Sequence, residues 1–97
     1  MIQCFADSGT DDVFNGRNTG AARKCCPREL WRVAHRKLDQ LDSAHRLADL
    51  RVPPGNRLEA LLGDRKGQHS IRINDRYRVC FRWSNDGPAD VEIVDYH

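Results

Sequence analysis

Long apolar runs are missing from this 97-residue chain: no window is apolar enough to span a bilayer, and no basic segment followed by an apolar stretch opens it. Neither a membrane span nor an export leader is expected, and the expected location is the cytoplasm. The length leaves no room for two self-supporting domains, so residues 1–97 are read as one domain around a single modest core. The four cysteines, Cys4, Cys25, Cys26 and Cys80, lack the spacing of a metal knuckle. Adjacent cysteines such as Cys25 and Cys26 rarely bridge each other, and a disulfide framework does not suit a chain without a leader. The four histidines recur at neither finger nor helix spacing, so neither a metal nor another cofactor is expected. Cys4 and Cys80 are read instead as small apolar filler in strands. Internal repeats and low-complexity segments are also absent.

What the sequence does contain is concentrated between Arg57 and Trp83. A glycine-bounded loop runs into two stretches of strict alternation. In the first, His69, Ile71 and Ile73 share one face while Ser70, Arg72 and Asn74 share the other. In the second, Tyr77, Val79, Phe81 and Trp83 oppose Arg76, Arg78, Cys80 and Arg82. A three-residue connection, Asn74-Asp75-Arg76, pairs Ile73 with Tyr77 and Ile71 with Val79, keeping core residues opposite core residues. The same register sets Arg72 against Arg78, where like charges repel unless something anionic lies over them. Residues 57–82 carry seven Arg and Lys against three Asp and Glu, a net of +4, whereas residues 83–97 carry −4. The chain's overall +2 therefore reads as a polarised molecule with a basic sheet face.

Around that hairpin the elements follow in order. Ile2 to Phe5 reads as a first strand, and Ser8 or Thr10 as the cap of a short helix through Val13 and Phe14, ended by Asn15-Gly16. Arg17 to Lys24 reads as a loop. Pro27 suits the first turn of a helix on which Leu30, Ala34, Leu38 and Leu41 form one stripe. Asp42-Ser43 reads as a break before a second, shorter helix carrying Ala44, Leu47, Ala48 and Leu50, with His35 and His45 on the surface. Pro53-Pro54-Gly55 ends the helical part, and Val91 to Tyr96 supplies the last strand. Strand, helices, then a strand meander predict an α+β fold with N-terminal helices on one face of a mainly antiparallel, twisted sheet.

The segments RLEALLGDRKGQHSIRINDRYRVCFRW and VEIVDYH, with PPGN just upstream, resemble the HigB or plasmid maintenance killer branch of the RelE-like toxins of bacterial type II toxin–antitoxin systems. The resemblance is strongest from Pro53 to His97. It implies a compact microbial-ribonuclease-type fold and cleavage of messenger RNA in the ribosomal decoding site. The implied partners are the ribosome and a cognate helix-turn-helix antitoxin of the HigA kind. Carried over by position, the site residues are Arg78 together with the terminal Asp95, Tyr96 and His97, and more loosely Asp64, Arg65, Arg72 and Asn74. The chain departs from the pattern at Leu62, where many relatives carry Lys, and at Glu59, near which some carry a histidine.

Metal-free RNA cleavage needs a group to take the 2′-hydroxyl proton, cations to stabilise the phosphorane, and an acid for the departing 5′-oxygen. Arg78 suits the second task, since a guanidinium offers paired donors and keeps its charge. Among Glu59, Tyr96 and His97 the acid and base roles stay open, and Asp95 joins them as a catalytic candidate. Arg57, Arg65, Arg72, Asn74 and Arg82 are the candidates for holding the RNA backbone. Arg78, on the open face, is expected to contribute little to stability. Two other classes fit the same residues: a ribosome-binding inhibitor with little cleavage, and an interaction module whose basic face receives an acidic partner.

Overall fold

The computed structural model describes residues 1–96; His97 lies outside them. Helix α1 spans Ser8–Phe14, α2 Gly20–Cys25 and α3 Trp31–Ser43; strands β1 Glu59–Ala60, β2 His69–Arg72, β3 Tyr77–Ser84 and β4 Gly87–Asp95 form a sheet in the order β1-β2-β3-β4. Every pairing in that sheet is antiparallel, and the helices cover one face, as the sequence predicts.

The stripe of α3 explains the packing. Ala34, Leu38 and Leu41 are fully buried and meet Ile71, Val79, Phe81, Val91 and Ile93 from the sheet, while Leu30 is partly buried at the helix entrance. Each leucine withdrawn from water in this way contributes roughly 1.5–3 kcal/mol. The predicted register of the hairpin holds, with Ile71 opposite Val79 and Arg72 opposite Arg78, but burial does not alternate with it, since Ser70 and Cys80 on the arginine face are also fully buried. Asn74 sets that register: its Oδ1 accepts the N–H groups of Arg76 and Tyr77 at 2.9 and 2.7 Å and so closes the connection.

Four expectations about the rest of the chain are corrected. The first strand reduces to one parallel bridge, Phe5 to Val91, because Cys4 and Ala6 share a single backbone contact residue, Val91, on β4. Helix α1 is capped by Asp7, whose carboxylate accepts the Thr10 N–H at 2.7 Å, and not by Ser8 or Thr10. Thr10 is buried and its hydroxyl accepts the Ile93 N–H, joining helix to sheet. The expected loop at Arg17 to Lys24 contains α2, started by Thr19, whose hydroxyl oxygen accepts the Ala22 N–H. Gly9 lets α1 and α2 touch, since a Cβ there would lie 2.6 Å from the Ala21 carbonyl oxygen. Finally, the second helix after Asp42-Ser43 is only a 3-10 turn, Leu47–Arg51, entered where Asp49 accepts the N–H groups of His45 and Arg46. Those two bonds hold the Asp49 carboxyl below the usual carboxylate range.

The Pro53 segment is pinned from inside. Asn56, wholly buried, gives its side-chain N–H groups to Gln40 Oε1 and the Leu50 carbonyl and accepts from Lys37 Nζ at 2.5 Å. This brings Arg57 and β1 to the edge of the sheet, beside β2. Cys80 is buried filler as expected, and burial pushes its thiol pKa up. Cys4 is not: it is exposed, with its thiol on the Asp90 carboxylate at 3.5 Å. Among the described residues no helix is long and apolar enough to cross a membrane.

Candidate functional site

Arg78 is the centre of the uncovered sheet face. Its Nε donates to Ser70 Oγ at 2.7 Å, its Nη2 donates to the Arg57 carbonyl at 2.7 Å, and Nη2 lies 3.3 Å from Glu59 Oε1. The side chain is only 14% exposed, so the expectation of a solvated arginine with little structural weight is corrected. Three different segments build this socket: Ser70 on β2, Glu59 on β1, and Arg57, which turns the chain with a left-handed φ of 46°. Among the described residues, no hydrogen bond or ion pair engages Nη1.

The like-charged pair Arg72–Arg78 is compensated from within the protein. Arg72 is ion-paired to Asp75 in the turn, as Arg78 is to Glu59. The same holds along the face, where Arg65 meets Glu92 at 3.2 Å and Arg82 meets Asp90 at 2.6 Å, and at its end, where Arg76 meets Asp95, the partner of core-facing Tyr77, at 2.8 Å. The acidic last strand thus lies against the basic segment, and the polarisation read from the sequence is largely neutralised. A charge run reports composition along the chain; the field depends on which strands are neighbours.

The predicted site residues separate into groups. Arg78, Glu59, Arg57 and Arg72 come together around β1 to β3, with Arg65 on Glu92 close by on the same face. Asp64 is exposed in the 3-10 turn Gly63–Arg65, just before Arg65. Tyr96 and Asp95 lie at the end of β4, where β3 begins; Asp95 pairs with Tyr77, and the Tyr96 N–H donates to the Arg76 carbonyl. Alternation sets Tyr96, 40% exposed, on the Arg78 side of the sheet. Arg82 stands apart, four residues along β3 from Arg78, or roughly 13 Å. There the β4 strand carries a bulge in which Asp90 has a left-handed φ of 51°, and the Arg82 hydrogen bond lowers the Asp90 pKa. Asn74 is committed to its turn, and the His97 assignment falls outside the described residues.

Sequence reasoning missed Ser70, Glu92 and Arg76 as members of this constellation. All were legible in principle: in the predicted register Ser70 lies on the Arg78 face, and so does Glu92 on alternation through Val91 to Tyr96. What was not legible is β1, two residues long and without an alternating pattern, which carries Glu59 to Arg78. Leu62 is 84% exposed on the loop between β1 and β2.

Helices on one face of a four-stranded antiparallel sheet make a compact α+β fold, consistent with that of the RelE-like toxins. Residues 3–97 match the family profile of the HigB-like toxins, described as the RelE-like toxin of type II toxin–antitoxin system HigB. Over 71 residues the chain is 46% identical to "Toxin HigB-1" of Vibrio cholerae serotype O1, covering 73% of this chain and 74% of that protein. It is also 38% identical over 76 residues to an uncharacterized protein of Haemophilus influenzae, covering 78% and 75% of the two. The chain belongs to the HigB branch of the RelE-like toxins. It is the toxin of a type II toxin–antitoxin system, with a cognate antitoxin as partner and, in general terms, the ribonuclease activity of that family.

Proposed function

We propose that this toxin cleaves messenger RNA on the ribosome in the cytoplasm, without a metal ion, and that a HigA-like helix-turn-helix antitoxin holds it in check. The observation that carries the reading is the Arg78 socket. Ser70 Oγ and the Arg57 carbonyl fix the guanidinium at 2.7 Å each and leave Nη1 for a phosphate oxygen. A cation immobilised before the substrate arrives stabilises developing phosphorane charge without reorganising. Glu59, 3.3 Å from Arg78 and 55% exposed, serves as the base in this scheme. It takes the 2′-hydroxyl proton, the 2′-oxygen attacks the adjacent phosphorus, and the 5′-oxygen leaves with a proton from the chain end, where Tyr96 and His97 are the donors available. Arg57 holds a flanking phosphate, joined by Arg65 and Arg72 once their carboxylate partners, Glu92 and Asp75, yield.

A ribosome-binding inhibitor with weak cleavage is the second reading. Two observations favour it: Leu62 presents no cation, and every arginine from Arg65 to Arg82 already has a carboxylate partner. Mapping RNA 5′ ends in cells expressing the wild type and Arg78→Ala at matched soluble levels separates the two. New ends within messenger RNA that vanish in the variant are expected. Growth arrest with no new ends would leave the inhibitor, and normal growth with the wild type would sink both.

A further inference from the structure

Arg76 fastens the end of β4 at two successive residues. Arg76 Nε and Nη2 donate to Asp95 Oδ1 and Oδ2, both at 2.8 Å, in a two-pronged geometry. One residue further, the Tyr96 N–H donates to the Arg76 carbonyl, continuing the β3–β4 ladder beyond the strand. Arg76 is itself held: its own N–H goes to Asn74 Oδ1, and its guanidinium lies 5.8 Å from the Tyr77 ring centroid. A line of contacts therefore runs from the turn through Arg76 and Asp95 to Tyr96. Terminal residues ordinarily fray unless something ties them down, and here the tie sits next to the sheet face that holds Arg78.

We propose that Arg76 and Asp95 are a positioning pair, with the arginine fork holding the last strand residue so that Tyr96 is delivered to the Arg78 face. The inference rests on the ribonuclease reading and changes one role within it. Asp95 acts through Tyr96, since both of its carboxylate oxygens are engaged in holding Arg76. Asn74 becomes a supporting member, since it fixes the backbone from which Arg76 reaches.

The test is a charge swap read in two independent ways. Arg76→Ala, Asp95→Ala and the double variant Arg76→Asp with Asp95→Arg are compared with the wild type. Hydrogen exchange of the Tyr96 amide by NMR reports the tether without reference to any activity, and RNA cleavage in cells reports its use. Each single variant should speed Tyr96 exchange about tenfold and lose most cleavage, while the thermal unfolding midpoint stays near that of the wild type. The swap should restore both protection and cleavage. Restored protection without cleavage would overturn the proposal and make the Asp95 carboxylate itself the working group. A Tyr96 amide that exchanges equally in the wild type and single variants would overturn the tether. If the wild type neither cleaves RNA nor arrests growth, the ribonuclease reading falls, while the exchange measurement still decides whether the pair holds the chain end.

Discussion

The two outward surfaces of the molecule carry arginines in different states. On the open sheet face and at its end, Arg65, Arg72, Arg76, Arg78 and Arg82 each have a carboxylate partner supplied by a neighbouring strand or turn. On the helical side Arg17 and Arg46 meet Asp12 and Asp49, but around α3 Arg32 and Arg36 are exposed and, among the described residues, have no carboxylate partner, and Arg28 lies 5.8 Å from the Trp31 ring. The arginines of the surface read as basic are largely balanced by carboxylates, whereas those on the outer face of α3 are not. Holding arginines between carboxylates fixes their orientation, which suits a site that must be assembled before its substrate. Leaving them free costs little on a wet surface and fixes nothing.

The sharpest way to break this comparison is at Arg78. Arg78→Ala is expected to lower RNA cleavage by about 10²-fold, the scale seen when a fixed transition-state donor is removed. Because Ser70 is fully buried, the same change should cost about 1–3 kcal/mol through its stranded hydroxyl. Urea unfolding measures the second effect, and an unchanged midpoint would return Arg78 to the solvated role.

Glu92→Gln tests the balance from the other side, since it releases Arg65 without touching Arg78. RNA binding should strengthen severalfold, and the slope of log affinity against log salt should steepen by about 0.7, the value for one added phosphate contact on a single strand. Binding to a short RNA at several salt concentrations gives both numbers. An unaltered slope would mean that Arg65 never reaches the RNA.

A smaller effect is expected with pH. The Arg82 hydrogen bond, and then Cys4, hold the folded Asp90 pKa below its usual 3.8. A depressed carboxylate stabilises the fold above its unfolded pKa and loses that contribution as pH falls through the folded value. Wild-type stability should therefore fall more steeply below about pH 4 than that of Asp90→Asn, by thermal unfolding. Equal slopes would show that the pair is fully screened. Smallest of all, Arg32→Ala and Arg36→Ala should each change stability by no more than about 0.5 kcal/mol, since neither side chain holds a carboxylate partner. A larger loss in either would dissolve the contrast between the two surfaces.

What sequence reading reached and missed follows from the range of the interactions involved. The α3 stripe and the β2–β3 register are local patterns, and both appear at the expected residues, with Ala34, Leu38 and Leu41 buried and Ile71 opposite Val79. Helix α2 was missed because its six residues include a glycine and two exposed basic side chains and lack a stripe; Thr19 as a cap was its one signal. Asp7 was passed over as the α1 cap because Ser8 and Thr10 are equally good capping types. The candidate site was legible as a set of residue types, but its grouping was not: Arg82 drops away along β3, while Ser70, Arg76 and Glu92 join.

By itself the sequence determined the antiparallel hairpin, the face on which each of its side chains lies, and the family, because alternation and a distinctive run of residues are written in consecutive positions. Only the tertiary structure decided which charge meets which. Glu59 reaches Arg78 across a two-residue edge strand, and Asp90, Glu92 and Asp95 meet Arg82, Arg65 and Arg76 because β4 folds back along β3 and past the Arg65 turn. These partners lie eight to twenty-seven residues apart, at separations on which no local periodicity bears. Electrostatic contact falls off over a few ångströms of space, so the working charge of each arginine was settled by strand neighbours and not by neighbours in the chain.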